Sequence, residues 1–324
     1  MTKKTLLVDC DTGVVDAIAL LYLLADPEVE ICGITTVFGN ISAGQAARNS
    51  LCVLDVAGAT GRIPVAVGSE VTLLGELLEH ATFVHGTNGM GGVDLAEPKG
   101  RISDKTAVEL IVETVRARPG EVHLLATAPL TNIAAALRAE PRLPSLVEGV
   151  TVMGGAAMAP GNITPAAEAN IWHDAEAAQA VLAAPWKLTL VPLDATMHEV
   201  LTEEQRLTMA GSSSPVARFA ANVLDFYLEF YTGVYGRKSS ACHDVLAAAI
   251  ATGDLVARKA MTVPVSVDTG NGPARGATVC DTRGMYKDQM VTEGANCTVV
   301  LDTGGDFSPA LVERLCSFVP TGQA

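Results

Sequence analysis

The chain has 324 residues, with 22 Lys and Arg against 36 Asp and Glu and a formal net charge of -14. An acidic protein repels the phosphate backbone, so this balance argues against a nucleic-acid-binding protein. Hydrophobic residues make up 49% of the chain and charged residues only 18%, which is too apolar for a disordered chain and enough for a large core.

Short β-rich runs alternate with longer segments rich in Ala and Leu. In chain order the pattern predicts strand, helix, strand, helix and strand at Thr5–Val8, Ala17–Leu24, Val29–Val37, Ala43–Ala57 and Ile63–Val67. Further strands are predicted at Val122–Ala126, Gly149–Met153 and Leu188–Leu193. This βαβ alternation is typical of an open, mostly parallel, Rossmann-like α/β sheet flanked by helices. We expect a single domain over residues 1–324, because no repeat, long linker or shift in composition divides the chain.

Neither export nor a membrane span is predicted. The apolar run that starts at Thr5 is interrupted at Asp9, well short of the hydrophobic region of a signal peptide. The most apolar stretch, Ala17–Ala25, is far shorter than the ~20 residues needed to cross a bilayer. The seven cysteines are scattered and form no CxxC pair, so neither a disulfide framework nor a zinc site fits well. We therefore expect a cytoplasmic protein.

Two aspartates follow the first predicted strand. Asp11 stands at the end of the strand and Asp16 in the first turn of the next helix, and working groups gather at the carboxyl ends of parallel strands. Two converging carboxylates repel one another unless a cation lies between them. A purely structural alternative stays open at this point, in which Asp16 favours the helix dipole and Asp11 caps the turn.

Later segments contribute further oxygen ligands. Pro129 stops pairing after the strand at Val122–Ala126 and leaves nearby carbonyls free. Asp244, beside His243, precedes a helix rich in Ala and Leu. Three carboxylates and a carbonyl suit calcium, which takes six to eight oxygen ligands, whereas zinc would want more nitrogen or sulfur.

A glycine-rich stretch carries two amides and a carboxylate, at Asn162, Glu168 and Asn170. Such side chains can fork onto vicinal hydroxyls, because they accept and donate hydrogen bonds together. The stretch therefore indicates a sugar-binding clamp. The alternative is that the two Asn are turn residues and Glu168 is a charge at a helix start.

Taken in order, these segments resemble the inosine-uridine nucleoside hydrolase family. The matching segments cover most of the chain and are Asp9–Asp11 with Asp16–Ala17, Thr35–Asn40, Val84–Gly86, Ala126–Asn132, Met153–Gly155, Gly161–Trp172 and His243–Asp244. The resemblance implies an open α/β sheet, a bound Ca²⁺ and hydrolysis of the N-glycosidic bond of nucleosides to ribose and free base. Relatives form dimers or tetramers, so a homodimer or homotetramer is expected by similarity.

The resemblance also implies roles for individual residues. The metal ligands would be Asp11, Asp16, Asp244 and the Thr127 carbonyl, and the ribose hydroxyls would be held by Asn40, Asn162, Glu168 and Asn170. Asp11 would take a proton from the attacking water, and His243 would protonate the departing base. An imidazole that titrates near neutrality suits that role.

Two further residues are placed near the substrate. His85 lies in a glycine-rich loop able to close over the substrate and is a second candidate acid, although an exposed loop histidine is the alternative. Tyr227, Tyr231 and Tyr235 recur on one helix face, a spacing more often due to packing, and Tyr231 is assigned to the pocket.

Val15 departs from the family pattern, because relatives usually show two adjacent aspartates where this chain has Val15-Asp16. The first of them resembles a group that accepts a hydrogen bond from the ribose 2′-hydroxyl. Val15 cannot accept one, and an apolar side chain favours a methyl group instead. We expect a nucleosidase adapted to a 2′-O-methylated ribose, or to a 2′-deoxy sugar, with an ordinary ribonucleoside hydrolase as the alternative.

Two other classes of protein are weighed. A haloacid-dehalogenase-like phosphatase would use Asp9 and Asp11, but it wants Thr or Val where this chain has Gly13, and it leaves the sugar clamp unexplained. A non-catalytic nucleoside or sugar sensor would keep the clamp, yet binding alone needs neither the base Asp11 nor the acid His243.

Overall fold

The computed structural model describes residues 3–287, 289–291 and 293–320. Met1 and Thr2, which belong to the N-terminus considered for export, lie outside the described residues. The strands are β1 (Lys4–Cys10), β2 (Val29–Thr36), β3 (Val65–Val67), β4 (Val122–Ala126), β5 (Gly149–Met153), β6 (Leu188–Val191), β7 (Val200–Thr202), β8 (Ser239–Ala241), β9 (Lys259–Val263), β10 (Val265–Val267), β11 (Thr278–Cys280) and β12 (Cys297–Asp302).

Helices connect most of these strands. They are α1 (Val14–Leu24), α2 (Ala43–Val56), α3 (Thr82–His85), α4 (Ala107–Ala117), α5 (Thr131–Ala139), α6 (Leu143–Leu146), α7 (Ala169–His173), α8 (Ala175–Leu182), α9 (Leu193–Thr196), α10 (Glu203–Ala210), α11 (Pro215–Tyr235), α12 (His243–Thr252) and α13 (Ser308–Ser317). A 3₁₀ helix covers Thr282–Lys287. The predicted strands and helices are found, with α1 beginning three residues before the predicted Ala17.

One eight-stranded sheet organises the fold, in the order β3-β2-β1-β4-β5-β6-β12-β9. Its strands pair in parallel except for β9, which runs antiparallel to β12 at one edge. This confirms the predicted open, mostly parallel α/β sheet. The order of the first six strands reverses between β1 and β4, and such a switch point opens a crevice at the carboxyl ends of the two strands.

Buried apolar side chains cover both faces of the sheet. One core contains residues of α1, α2, α11 and α12, and a second contains residues of α4, α5 and α8. In α1 all residues from Val14 to Leu23 are buried, so the apolar stretch seen in the sequence is a core helix. Within the described ranges, no helix combines the length and hydrophobicity required to cross a membrane.

Candidate functional site

The switch point brings the predicted acidic residues together. Asp11 follows β1, and its carboxylate accepts hydrogen bonds from the Asn40 backbone N–H at 2.6 Å and the Asn40 side-chain amide at 2.9 Å. Asp16, in the first turn of α1, accepts from the Gly13 N–H at 2.9 Å and from the Thr127 hydroxyl at 2.8 Å. Asp16 therefore stands in the first turn of α1, where its charge favours the helix dipole as the structural alternative has it, and these contacts also fix its carboxylate at the crevice.

Gly13 allows this close approach. A Cβ added at Gly13 would lie 2.5 Å from His85 Nδ1 and 2.9 Å from Asn40 Nδ2, so any larger residue would displace the site. The turn between β1 and α1 therefore depends on glycine at this position.

We use the term acidic cluster for Asp11, Asp16 and Asp244, all of which are buried. Burial, and then the charge of Asp16, raises the pKa of Asp11 well above its usual range. Burial also raises the pKa of Asp16 to about 6. For Asp244, burial and then the charges of Asp16, Asp11 and Glu168 raise the pKa strongly. No Lys or Arg is among the described residues that line the pocket at this cluster.

The candidate ligand atoms at this cluster are oxygens, the ligand type that a hard cation prefers. Considering His, Cys, Asp and Glu side chains alone, no group of three in the described part of the chain is arranged to hold a metal ion. The candidate ligands combine the carboxylates of the acidic cluster with a backbone carbonyl, that of Thr127. Asn170 Nδ2 donates to this carbonyl at 3.1 Å. A set made only of oxygen atoms is the kind that calcium takes, and a divalent cation would offset the mutual repulsion of the carboxylates.

A pocket of about 130 Å³ opens above the acidic cluster. The predicted site residues that line it are Asp11, Val15, Asn40, His85, Thr127, Asn162, Glu168, Asn170, Tyr231, His243 and Asp244. Asp16 is not part of the lining and lies behind it, bonded to Thr127 and to Asn40 Nδ2 at 3.3 Å. The fold thus assembles residues from seven separate segments of the chain, as the sequence predicts.

Asp9 takes no part in this pocket. It is a fully buried residue of β1, and its Oδ1 accepts from the Thr35 hydroxyl at 2.6 Å and from Asn132 Nδ2 at 2.8 Å. A carboxylate enclosed in the sheet cannot attack a substrate, which removes the phosphatase interpretation.

The sugar-clamp residues combine structural contacts with pocket positions. Glu168 caps α7, and its carboxylate accepts from the backbone N–H groups of Gly155, Asn170 and Ile171 at 2.9, 2.9 and 3.2 Å. Burial raises the pKa of Glu168 to about 6. Asn162 Oδ1 accepts from the Ala169 N–H at 3.0 Å, which leaves Asn162 Nδ2 for a ligand. Glu168 is thus a charge at a helix start, as the alternative has it, and all three residues line the pocket, while the sugar-binding role stays a prediction.

His243 belongs to a buried chain of hydroxyl groups. Its Nε2 is 2.7 Å from the Tyr231 hydroxyl, and its Nδ1 is 2.8 Å from the Thr196 hydroxyl. Burial lowers the pKa of His243 to about 4, so the expectation that this imidazole titrates near neutrality is wrong. The ring is neutral at pH 7, and any proton it gives comes from a ring N–H that a neighbouring hydroxyl can replace.

His85 is not the exposed loop histidine considered as an alternative. It ends α3, is buried, and its Nδ1 accepts from the Val14 N–H at 3.2 Å, so the ring hydrogen sits on Nε2. Its ring centroid lies 5.3 Å from that of Tyr227. Burial, and then His243, lowers the pKa of His85 to about 3.

The tyrosine stripe divides between packing and pocket. Tyr227 and Tyr231 are buried and line the pocket, with their hydroxyls 3.5 Å apart. Tyr235 instead donates to the Met197 carbonyl at 2.9 Å and lies outside the lining. The assignment of Tyr231 to the pocket agrees with its position.

Some residues that line the pocket were not assigned to it from the sequence, and His173, Phe83 and Phe230 are among them. His173 lines the pocket, while Phe83 of α3 and Phe230 of α11 also line it, with their ring centroids 5.9 Å apart. Their only signal in the sequence is proximity to segments already singled out, because the contact between α3 and α11 depends on tertiary packing.

The chain is similar in sequence and in structure to known nucleoside hydrolases. Residues 6–306 match the family described as inosine-uridine preferring nucleoside hydrolase. The inosine-uridine preferring nucleoside hydrolase of Crithidia fasciculata is 36% identical over 297 residues, 91% of this chain and 93% of that protein. Uridine nucleosidase 1 of Arabidopsis thaliana is 39% identical over 236 residues, 72% of this chain and 70% of that protein. The structure of a purine-preferring ribonucleoside hydrolase from Gardnerella vaginalis superposes with a TM-score of 0.87 and 29% identity, covering 97% of this chain and 99% of that chain.

Proposed function

The chain belongs to the inosine-uridine preferring nucleoside hydrolase family, and from that premise we propose that it cleaves its substrate in the pocket above Asp11 with Ca²⁺ as cofactor. An enzyme of this kind hydrolyses nucleosides to free base and ribose. The observation that carries the proposal is the burial of three mutually repelling carboxylates beside a pocket whose described lining holds no Lys or Arg.

Asp11 is the group we assign to the attacking water. The acidic cluster and the Thr127 carbonyl would hold the Ca²⁺, which would make a water bound to it easier to deprotonate. Asp11 accepts the proton as the water oxygen attacks C1′, and the Asn40 N–H and amide keep its carboxylate in place. The C1′–N bond breaks with oxocarbenium character on the sugar, and its electron pair leaves with the base.

His243 is the group we assign to the departing base. The Tyr231 hydroxyl on one side and the Thr196 hydroxyl on the other form a buried hydrogen-bonded chain through the ring. The base takes a proton from the Tyr231–His243 pair without a charged imidazole. The pair then regains a proton from water as Asp11 releases the one it took, so the protons balance over one turnover. The sugar hydroxyls would be held by Asn40, Asn162, Glu168 and Asn170.

Val15 defines the finer substrate class that we propose. Its side chain is 6% exposed and faces the pocket one residue before Asp16, so the wall there is apolar. A 2′-hydroxyl buried without a charged acceptor loses about 1.5–3 kcal/mol, or roughly 10- to 150-fold in rate if the loss is felt in the transition state. A methyl group buried there gains ~0.8 kcal/mol. A 2′-O-methyl nucleoside therefore suits this wall better than an unmodified nucleoside does. A 2′-deoxy nucleoside suits it less well than the 2′-O-methyl compound.

A panel of inosine, 2′-O-methylinosine and 2′-deoxyinosine tests this class in the native enzyme and in Val15→Asp. The native enzyme is expected to prefer the 2′-O-methyl compound, and Val15→Asp to raise kcat/KM for inosine by roughly 10- to 150-fold while lowering it for the methylated substrate. Val15→Leu is the matched control, which keeps the wall apolar and gives inosine no gain. A native preference for inosine that Val15→Asp weakens would establish an ordinary ribonucleoside hydrolase instead.

The same panel extended to uridine decides the preferred base, which the names of the relatives do not fix. The cytoplasmic location, the homodimeric or homotetrameric assembly and the organisation of residues 1–324 as one catalytic domain stay predictions.

A further inference from the structure

The segment that follows β5 is held in an unusual way by side chains from outside it. Five successive backbone N–H groups each donate to a buried side chain: Gly155 to Glu168 at 2.9 Å, Ala156 to Thr278 at 2.8 Å, and Ala157, Met158 and Ala159 to Asp194 at 2.7, 2.8 and 3.1 Å. We call this segment, residues 155–159, the clasped segment. Peptide groups in an irregular loop usually bond to water or to neighbouring backbone, so such complete capture fixes the path of the chain.

Asp194 holds the larger part of the clasped segment. It lies in the first turn of α9, is 7% exposed, and accepts the three N–H groups with both carboxylate oxygens. It is not among the residues that line the pocket. Hydrogen bonds to a charged acceptor are stronger than those to a neutral one, so this carboxylate is the main anchor of the segment.

Thr278 completes the anchor from β11. Its hydroxyl accepts from the Ala156 N–H and donates to the Ala156 carbonyl at 2.7 Å, so both polar groups of that residue are bound. Gly155 has φ +80°, and a Cβ added to it would lie 2.8 Å from Thr278 Cγ2. The backbone thus runs directly against Thr278 with no room for adjustment.

The clasped segment leads straight into the wall that faces the sugar. Only Pro160 and Gly161 separate Ala159 from Asn162 and Ile163, which line the pocket. A Cβ added to Gly161 would lie 2.2 Å from the carbonyl oxygens of Thr164 and Ala167, so this connection is tightly packed too. The Gly161 N–H donates to the Pro165 carbonyl and the Asn162 N–H to the Ala167 carbonyl, both at 3.1 Å, so the clasped segment fixes the point from which this bonded turn starts.

We propose that Asp194 is a positioning residue for catalysis, which sets the place of Asn162 and Ile163 against the substrate through the clasped segment, with Thr278 as its partner. The inference rests on the proposed function, because it assigns Asn162 to the substrate. Asp194 itself touches neither the sugar nor the acidic cluster. Replacing it with Asn keeps the size of the side chain but turns one acceptor oxygen into a donor that faces another N–H.

A double-mutant cycle tests the inference. Asp194→Asn is expected to raise KM about 10-fold with a smaller change in kcat, because ground-state and transition-state contacts of the sugar are lost together. In the background of Asn162→Ala, the same change is expected to raise KM less than about 2-fold, because the contact it positions is already absent. Asp55→Asn is the matched control, since Asp55 accepts the Lys99 N–H at 2.7 Å outside the pocket, and it leaves KM unchanged.

Thr278→Val is a second variant that tests the inference if Asp194→Asn folds poorly. It removes the hydroxyl at nearly constant volume and is expected to raise KM about 3-fold, again only when Asn162 is present. Equal effects of either variant with and without Asn162, or an unchanged KM, would overturn the inference. Those results leave the native enzyme active, whereas failure of the proposed function appears as a native protein that hydrolyses no nucleoside.

Discussion

Asp11→Asn is expected to lower kcat about 10⁴-fold, the upper end of what a general base contributes. The amide retains an oxygen for the Asn40 N–H but cannot take a proton from water, and it weakens the oxygen set offered to a cation. The melting temperature in calcium-free buffer is expected to stay the same or rise, because the change removes one of the carboxylates whose repulsion raises the pKa of Asp244. Steady-state kinetics and thermal melts of the same preparations check both statements.

Asp55→Asn again serves as the control for this variant, because it alters a carboxylate remote from the pocket. It should keep native kcat and KM. An Asp11→Asn enzyme that retains more than about a tenth of native kcat would show that another group takes the proton, since loss of a general base costs at least ~10²-fold.

His243→Ala is expected to lower kcat about 10²- to 10⁴-fold for inosine, because the base then leaves without a proton. For a nitrophenyl riboside, whose leaving group is stable as an anion, the loss should be less than about 10-fold, because no acid is needed. Comparing the loss of kcat for the two substrates separates the contribution of proton donation from that of every other part of the site.

His85→Ala distinguishes the two histidines. Both rings are buried and line one pocket, but only His243 is bonded at both nitrogens to hydroxyl groups able to replace its hydrogen. We expect His85→Ala to impair inosine and the nitrophenyl riboside alike, through binding. If His85→Ala shows the selective loss and His243→Ala does not, the acid has been assigned to the wrong residue.

The sequence predicts the site as far as strand ends determine it. Asp11 and Thr127 follow neighbouring parallel strands, and the carboxyl ends of such strands share one edge of the sheet, so their meeting needs no knowledge of the loops. Asp244 lies in the first turn of α12, which packs on α1, the helix that carries Asp16. For these residues, alternation and motif order were sufficient.

Residues fixed by loop packing could not be predicted in this way. Phe83 reaches the pocket because α3 lies against α11, and Asp194 acts through three N–H groups of a distant loop. Neither contact leaves a periodic pattern. The neutral state of His243 also depends on burial, which residue spacing does not report. The strand pairs β7–β8 and β10–β11 have three residues per strand. So short a strand shows too little alternation of apolar and polar residues to be predicted.

Calorimetric titration of calcium into protein first stripped with a chelator tests the account most directly, because everything assigned to the acidic cluster depends on one cation bound there. The native protein is expected to bind a single Ca²⁺ per chain, and Asp244→Asn to bind it at least about 100-fold more weakly, since one charged ligand is lost. Native protein that binds no calcium, or Asp244→Asn protein that binds it as tightly as the native chain, would contradict the account.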